Sequence, residues 1–225
     1  MRVIAIDGPA ASGKSSTAAL VALRLEWAHL DSGALYRALT LAALDHLGES
    51  EWSGQRIIGL AEDLPVRLVF TERTFRPEVS GVDVEAAIRA AHVTAKVSML
   101  AAIPEVRAWV NAQQRQAVRG YPDGVVVDGR DIGTVVFPEA PLKIYLTAHA
   151  DERARRRLTQ QGEAADATRV ARESAVLAAR DALDAGRAIA PLRPAPDAVT
   201  LDTTALTLEE QVAQIVALAR TRFPG

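Results

Sequence analysis

Short apolar stretches alternate along the chain with longer stretches in which apolar positions recur at helical spacing. Short uninterrupted apolar runs are typical of parallel strands that are buried on both faces. The predicted strands cover residues 2–6, 124–128, 142–146 and 197–202. The predicted helices cover residues 14–25, 35–47, 85–91, 93–100, 104–118, 151–158, 169–185 and 207–220. Strands that alternate with helices predict an α/β fold, in which a parallel sheet is covered by helices on both faces.

Two local features depart from this alternation. Residues 66–70 alternate in polarity, and Pro77 and Gly81 interrupt the stretch that follows, so residues 64–84 predict a small antiparallel insertion. Residues 159–168 are polar and show no periodicity, which predicts a mobile connection between two helices. We expect Asp151 to cap the helix that precedes this connection.

Composition narrows the range of functions. The formal net charge is -2 and aromatic residues make up 4% of the chain, so neither nucleic acid nor a membrane surface is expected as a partner. The chain has no cysteine, which excludes disulfides, thiolate metal sites and thiol nucleophiles. No apolar run reaches membrane-spanning length, and charge and glycine come too early in the chain for a signal peptide. We therefore expect a cytoplasmic protein.

The strongest motif lies between the first predicted strand and the first predicted helix. Residues 8–15 match the pattern G-x-x-x-x-G-K-[ST] without a gap, and this context is the one in which such a loop cradles a polyphosphate. The motif predicts the three-layer P-loop NTPase fold and a nucleoside triphosphate ligand, but it does not specify the reaction. The predicted ATP-binding residues of this cradle are Gly8, Pro9, Ala10, Ala11, Ser12, Gly13, Lys14, Ser15 and Ser16.

A second group of polar residues follows the strand at 124–128. Asp128 ends that strand, where a carboxylate in this fold supports a metal ion, and Arg130 and Asp131 come directly after it. We predict a magnesium site in which Ser15 supplies a hydroxyl ligand and Asp128 acts through a bound water. Three polar residues at this strand end favour a functional site over simple solvation.

Other patterns leave two readings open. Arg180, Asp184 and Arg187 share one helix face, which fits either an exposed salt-bridged stripe or a grip on an anion and a hydroxyl. Asp31 and Ser32 fit either a helix cap or a substrate site. The basic cluster contains Arg153, Arg156, Arg157, Arg169 and Arg172, and it fits either a solvated face or a hinged flap over a triphosphate.

Taken together, these residues give the chain a close resemblance to the bacterial cytidylate kinase family of nucleoside monophosphate kinases. The resemblance spans nearly the whole chain and is most specific in the run from Gly129 to Pro138. The matching motifs are Ile6-Asp7-Gly8-Pro9, the cradle, residues 31–37, Ile103-Pro104-Glu105-Val106-Arg107, residues 128–138 and Arg187-Ala188-Ile189-Ala190-Pro191-Leu192.

The resemblance implies transfer of the terminal phosphoryl group of ATP to CMP or dCMP with the help of Mg²⁺, by a protein that is commonly a monomer. It also implies a domain organisation. The core would comprise residues 1–31, 104–150 and 188–225, and residues 32–103 would bind the monophosphate and include the insertion near 64–100. Residues 151–173 would form a helical lid, and residues 174–187 a helix that contacts the substrate.

The resemblance also assigns roles to single residues. Ser98, Arg107 and Asp131 would read the cytosine edge, while Asp184 with Arg180 would contact the ribose. Arg37, Arg130 and Arg187 would grip the monophosphate, and Ser32 and Tyr36 would belong to the substrate site. Arg153 and Arg157 would bind ATP from the lid, and the implied catalytic residues are Lys14, Arg130, Arg157 and Arg187.

Two alternatives remain open from the sequence. The acceptor would be UMP, AMP or another small monophosphate if the base pocket differs from that of the family. The chain would be a non-enzymatic P-loop switch if the arginines outside the cradle serve no substrate.

Overall fold

A computed structural model describes residues 2–224 of the chain. Its strands, numbered in chain order, are β1 (Val3–Asp7), β2 (Ala28–Asp31), β3 (Val66–Thr71), β4 (Thr74–Val79), β5 (Val82–Asp83), β6 (Val125–Gly129), β7 (Leu142–Thr147) and β8 (Val199–Asp202). Its α-helices are α1 (Lys14–Leu25), α2 (Ser32–His46), α3 (Gly54–Asp63), α4 (Ala91–Leu100), α5 (Pro104–Arg119), α6 (Ala150–Gln160), α7 (Ala167–Ala185) and α8 (Leu208–Arg222).

The chain divides into two compact units. The first unit contains the residues up to Trp27 and those from Gly124 onward, and the second unit runs from Ala28 to Asp123. The segment that the sequence assigned to the core as 104–150 is thereby divided between the units. The reason is that α5 buries Val106 and Val110 in a cluster with residues of α2, α3 and α4.

The first unit is built on a parallel sheet with the strand order β6-β1-β7-β8. Every residue of β1 and β6 is buried, as their uninterrupted apolar runs predict. On one face, Ile4 and Ile6 of β1 form a core with Val21 of α1 and Ile215 of α8. The predicted fold class, a mostly parallel sheet flanked by helices, is confirmed. The carboxyl ends of these strands bring distant polar residues together.

The second unit contains the predicted antiparallel insertion. Strands β3 and β4 form a hairpin whose last pair is Thr71 and Thr74, and β5 continues it on the far side of β4. The two turn residues, Glu72 and Arg73, both have positive φ, so this is a two-residue hairpin turn made without glycine or asparagine. The predicted antiparallel pairing is confirmed, and Val66 of β3 joins a core that also contains Leu35 of α2.

Several local predictions are wrong or incomplete. The helix predicted at 85–91 is only the short 3₁₀ turn Ala87–Arg89, because the extended backbone at Ala90 ends it before α4 begins. His149 rather than Asp151 caps α6, so Asp151 lies in the first turn. The polar stretch 159–168 is partly helical, because α6 extends to Gln160 and α7 begins at Ala167, so six residues connect the two helices.

Strand β2 and helix α3 were not predicted from the sequence. Strand β2 has four residues, of which two are polar, so its sequence carries almost no strand pattern. Helix α3 begins at Gly54 and also contains Gly59, and glycine is a poor helix former. Among residues 2–224, no helix is both long and apolar enough to cross a membrane.

Candidate active site

The cradle lies between the end of β1 and the start of α1. A Cβ atom on Gly8 would lie 2.4 Å from the carbonyl oxygen of Leu146, so only glycine fits there. Gly13 has a φ of 89°, a backbone conformation that a side chain disfavours. The loop therefore wraps tightly and ends at the amino terminus of α1, where unpaired amide groups and the helix dipole favour a phosphate.

Two side chains of α1 lie at the mouth of this loop. The Lys14 ammonium is buried and donates a hydrogen bond of 3.1 Å to the carbonyl oxygen of Pro9. The Ser15 hydroxyl donates to the Asp128 carboxylate over 2.6 Å. Since Ile6 pairs with Asp128 across β1 and β6, the sheet itself brings this carboxylate to the cradle. A hydroxyl and a carboxylate are the hard oxygen donors that Mg²⁺ prefers.

The predicted lid arginines have different surroundings. Arg153 of α6 is buried and donates to the carbonyl oxygen of Ala10 over 3.0 Å, so it reaches the cradle. Arg156 donates to the carbonyl oxygen of Thr203 over 2.6 Å. Arg157, in contrast, donates to Gln160 of its own helix over 3.0 Å. Arg156 also donates to the carbonyl oxygen of Ser12 over 3.5 Å, so Arg153 and Arg156 both reach the cradle, whereas Arg157 contacts its own helix.

A buried carboxylate joins the arginines of two distant segments. Asp184 of α7 accepts a hydrogen bond of 2.9 Å from Nε of Arg130 and another from Arg187. Burial opposes ionisation, yet Arg130, Arg187 and Arg180 together hold the pKa of Asp184 below its ordinary value. The reading of this helix face as an exposed salt-bridged stripe is therefore wrong for Asp184, which is 1% exposed. More positive than negative charge meets here, so the cluster can receive a further anion.

Asp7 is a site residue to which the sequence analysis gave no role. It ends β1, is buried, and accepts hydrogen bonds of 2.8 Å from the amides of both Ile132 and Gly133. Burial raises the pKa of Asp7 to about 6, although the two amide hydrogen bonds lower it. Ile132 and Gly133 begin the five-residue π-helix Ile132–Val136, and such irregular elements are frequent at functional sites. Asp7 thus fixes the backbone next to buried Asp131.

The remaining predicted substrate-binding residues lie in the second unit, where they contact other residues of that unit. Arg107 of α5 is buried, donates to the carbonyl oxygen of Ala101 over 3.1 Å and stacks 5.5 Å from the ring centre of Tyr36. Arg37 donates to Thr94 over 2.9 Å and to the carbonyl oxygen of Ile88 over 3.2 Å.

Two further candidates of this unit lie on α4 and at the start of α2. Ser98 of α4 is half-buried. Asp31 caps α2 by accepting from the amide of Gly33 over 2.9 Å, which confirms the capping interpretation for this residue. Ser32, which follows it, is buried, and its carbonyl oxygen accepts from Gln114 over 2.9 Å.

Two long-range contacts, one of the cradle and one of α1, escaped the sequence analysis. The carboxylate of Asp181 accepts from the amide of Ala10 over 2.9 Å, although 171 positions separate the two residues. Thr17 donates to Gln211 over 2.9 Å and so ties α1 to α8. No local pattern distinguishes Asp181 from any other acid on a helix, so only the fold reveals it. A carboxylate at the end of an apolar buried strand, in contrast, was a signal for Asp7.

Comparison with known proteins gives one consistent result. The family model for cytidylate kinase matches residues 4–221 of the chain. A cytidylate kinase of Azotobacter vinelandii (strain DJ / ATCC BAA-1303) is 46% identical over 96% of this chain and 93% of its own length. Cytidylate kinases of Klebsiella pneumoniae (strain 342) and Escherichia coli O1:K1 / APEC are 44% and 43% identical, each over 98% of this chain and 96% of the relative. The likeness therefore extends over both units.

Proposed function

This chain belongs to the cytidylate kinase family, and on that premise we propose how its residues perform the reaction. The protein transfers the terminal phosphoryl group of ATP to CMP or dCMP, which gives ADP and CDP or dCDP. Phosphoryl transfer needs little covalent help from a protein, because charge spreads over the moving group and catalysis consists of positioning and electrostatic stabilisation. The acceptor is already an anion, so no strong general base is required.

On the donor side, the cradle at residues 8–16 holds the ATP phosphates through its backbone amides. Lys14 exchanges its hydrogen bond to Pro9 for one to the outer phosphates. Ser15 and Asp128 would hold magnesium, Asp128 through a water molecule, and their hydrogen-bonded oxygens have the donor chemistry that the ion requires. When bound, magnesium supplies charge neutralisation for the donor phosphates. Arg153 and Arg157 of the lid are the further ATP contacts.

On the acceptor side, fixed guanidinium groups meet the monophosphate. Arg130 and Arg187 are held by Asp184. The family resemblance assigns Arg37, which donates to Thr94 in the second unit, to the monophosphate as well. Planar guanidinium groups bind phosphate oxygens in pairs, which fixes the acceptor as well as neutralising it. The observation that carries the proposal is the buried Asp184, which binds Arg130 and Arg187. It orients two guanidinium groups that can bind a second anion in the same unit as the cradle.

Base and sugar contacts complete the acceptor site. The family resemblance assigns Ser98, Arg107 and Asp131 to the cytosine edge, Asp184 with Arg180 to the ribose, and Ser32 and Tyr36 to the substrate site. Uracil has a carbonyl oxygen where cytosine has an amino group. In UMP this oxygen would meet the Asp131 carboxylate, and two hydrogen-bond acceptors would then face each other without a proton between them. A buried mismatch of this kind costs about 1–3 kcal/mol, which corresponds to a preference of about tenfold to a hundredfold.

A coupled assay for ADP release, run with each nucleoside monophosphate in turn, tests the proposal. We expect CMP and dCMP to stimulate ADP release and UMP and AMP to do so far less. Strong turnover of UMP or AMP would instead identify a kinase for another monophosphate. Slow ATP hydrolysis that no monophosphate stimulates would identify a P-loop switch. We further propose that the protein acts as a cytoplasmic monomer, without nucleic acid or membrane partners.

A further inference from the structure

Side chains of α6 and α7 hold the backbone of a single cradle residue. The amide of Ala10 donates to one carboxylate oxygen of Asp181 over 2.9 Å, and its carbonyl oxygen accepts from Arg153 over 3.0 Å. Arg153 also donates to the second carboxylate oxygen of Asp181, which closes a ring of three hydrogen bonds. The side chains of Arg153 and Asp181 are 11% and 17% exposed, so water competes little for these charge-assisted bonds. The position of Ala10 is therefore coupled to the positions of α6 and α7.

Helix α7 also carries the carboxylate of the acceptor grip. Asp184 lies three positions after Asp181, and residues at this spacing share a helix face and lie about 4.5 Å apart along the axis. Asp184 binds Arg130 and Arg187, while Asp181 binds Ala10 and Arg153. One turn of one continuous helix thus contacts both the ATP cradle and the two arginines proposed to bind the monophosphate.

This arrangement leads to an inference that rests on the proposed function and extends it. We propose that Asp181, with Arg153, is a positioning residue that couples occupation of the acceptor site to the geometry of the ATP cradle. A monophosphate bound by Arg130 and Arg187 restrains Asp184 and with it α7, and Asp181 passes this restraint to Ala10. ATP then meets a cradle that is already ordered, so each substrate tightens the binding of the other.

Equilibrium binding measures this coupling directly. A non-hydrolysable ATP analogue is titrated calorimetrically into the protein with and without saturating CMP, and CMP is titrated with and without the analogue. For the wild-type chain we expect each ligand to tighten the other by at least about fivefold, and by the same factor in both directions, since coupling is reciprocal. In Asp181→Asn the amide cannot form the ion pair with Arg153, so we expect the factor to fall below about twofold.

Two further variants make the test specific. Glu173→Gln removes a carboxylate from the same helix eight positions before Asp181, about 12 Å along the axis, and it should keep the wild-type coupling factor. Arg153→Lys keeps the positive charge but shortens the side chain by one bond, so its ammonium no longer reaches the Arg153 NH1 position that binds both Ala10 and Asp181, and it should also reduce the coupling. This variant replaces Asp181→Asn as the test if the latter does not fold, as judged by its thermal transition.

The possible outcomes separate the inference from the function on which it rests. The inference is overturned if Asp181→Asn binds both ligands more weakly but keeps the wild-type factor, because that result describes a purely structural residue. It is also overturned if the wild-type chain turns over CMP yet shows no coupling. A wild-type chain that does not phosphorylate CMP contradicts the proposed function instead.

Discussion

Replacement of Asp184 by asparagine tests the buried charge cluster most directly. The side chain of Asp184 is 2% exposed, and those of its partners Arg187 and Arg130 are 8% and 17% exposed. Asparagine keeps the volume and one acceptor oxygen but removes the negative charge that two buried guanidinium groups share. Breaking a buried ion pair in this way costs about 3–5 kcal/mol, and the retained acceptor places the loss of unfolding free energy near the lower end, at about 3 kcal/mol.

The pH dependence of this loss follows from the sign of the pKa shift. Arg130 and Arg187 lower the pKa of Asp184, so its contribution is present above the pKa of the unfolded chain and is lost only as the pH falls through the lower folded-state value. Between pH 5 and pH 8 the carboxylate is ionised in both states. The difference between the wild-type chain and Asp184→Asn should therefore stay constant over that range.

Urea unfolding, followed by far-ultraviolet circular dichroism, measures the loss of unfolding free energy. In a thermal scan the same loss corresponds to a lowering of Tm by about 6–12 °C for a chain of this size. Glu163→Gln is the matched control, because Glu163 pairs with Arg169 at 4.0 Å on the surface and both side chains are about half exposed. Its effect should stay within about 0.5 kcal/mol. A loss below about 1 kcal/mol for Asp184→Asn, or one that changes between pH 5 and pH 8, would refute the reasoning.

Three further predictions concern catalysis, base choice and pH. Lys14→Ala should lower kcat by at least about 100-fold with little change in the thermal transition, and near-normal turnover would remove Lys14 from the mechanism. Asp131→Asn should reduce the preference for CMP over UMP by about tenfold or more in kcat/KM, whereas unchanged selectivity would show that the base is read elsewhere. Burial raises the pKa of Asp7 from 3.8 to about 6, so its contribution to stability is complete below about pH 4 and is lost as the pH rises through 6. Compared with Asp7→Asn, the wild-type chain should therefore lose up to about 3 kcal/mol of relative stability between pH 4 and pH 7 in urea titrations, and a pH-independent difference would contradict the raised pKa.

Asp184 and Asp7 show how burial acts in opposite directions on two acids of the same unit. Asp184 faces arginines, whose charge outweighs burial, whereas Asp7 is held mainly by two neutral amides and lies near another acid, Asp131. The first carboxylate is thus fixed as an anion that orients guanidinium groups. The second fixes a backbone turn and titrates in the range where the enzyme would be assayed.

The amino-acid sequence by itself determined the parallel strands, the cradle and the antiparallel insertion. Each depends on signals that lie within a few residues of one another: an apolar run such as residues 3–6, the glycines and lysine of residues 8–15, or the alternation at 66–70. It also placed Asp128 at the end of a strand beside the cradle, since parallel strands end at a common edge. Local patterns failed where they were weak, as in the four residues of β2 and the glycine-containing α3.

Only the tertiary structure decided which charged residues meet. Arg153, Arg156 and Arg157 occupy neighbouring positions on one helix, yet the first two donate to the cradle carbonyls of Ala10 and Ser12 and the third donates to Gln160 of its own helix. Whether Asp184 lay in solvent or was buried between arginines depended on the packing of α7, and the same packing brought Asp181 to a cradle residue 171 positions away. A hydrogen-bond partner of this kind is set by how helices pack onto the sheet, and the spacing of residues along one helix contains no information about it.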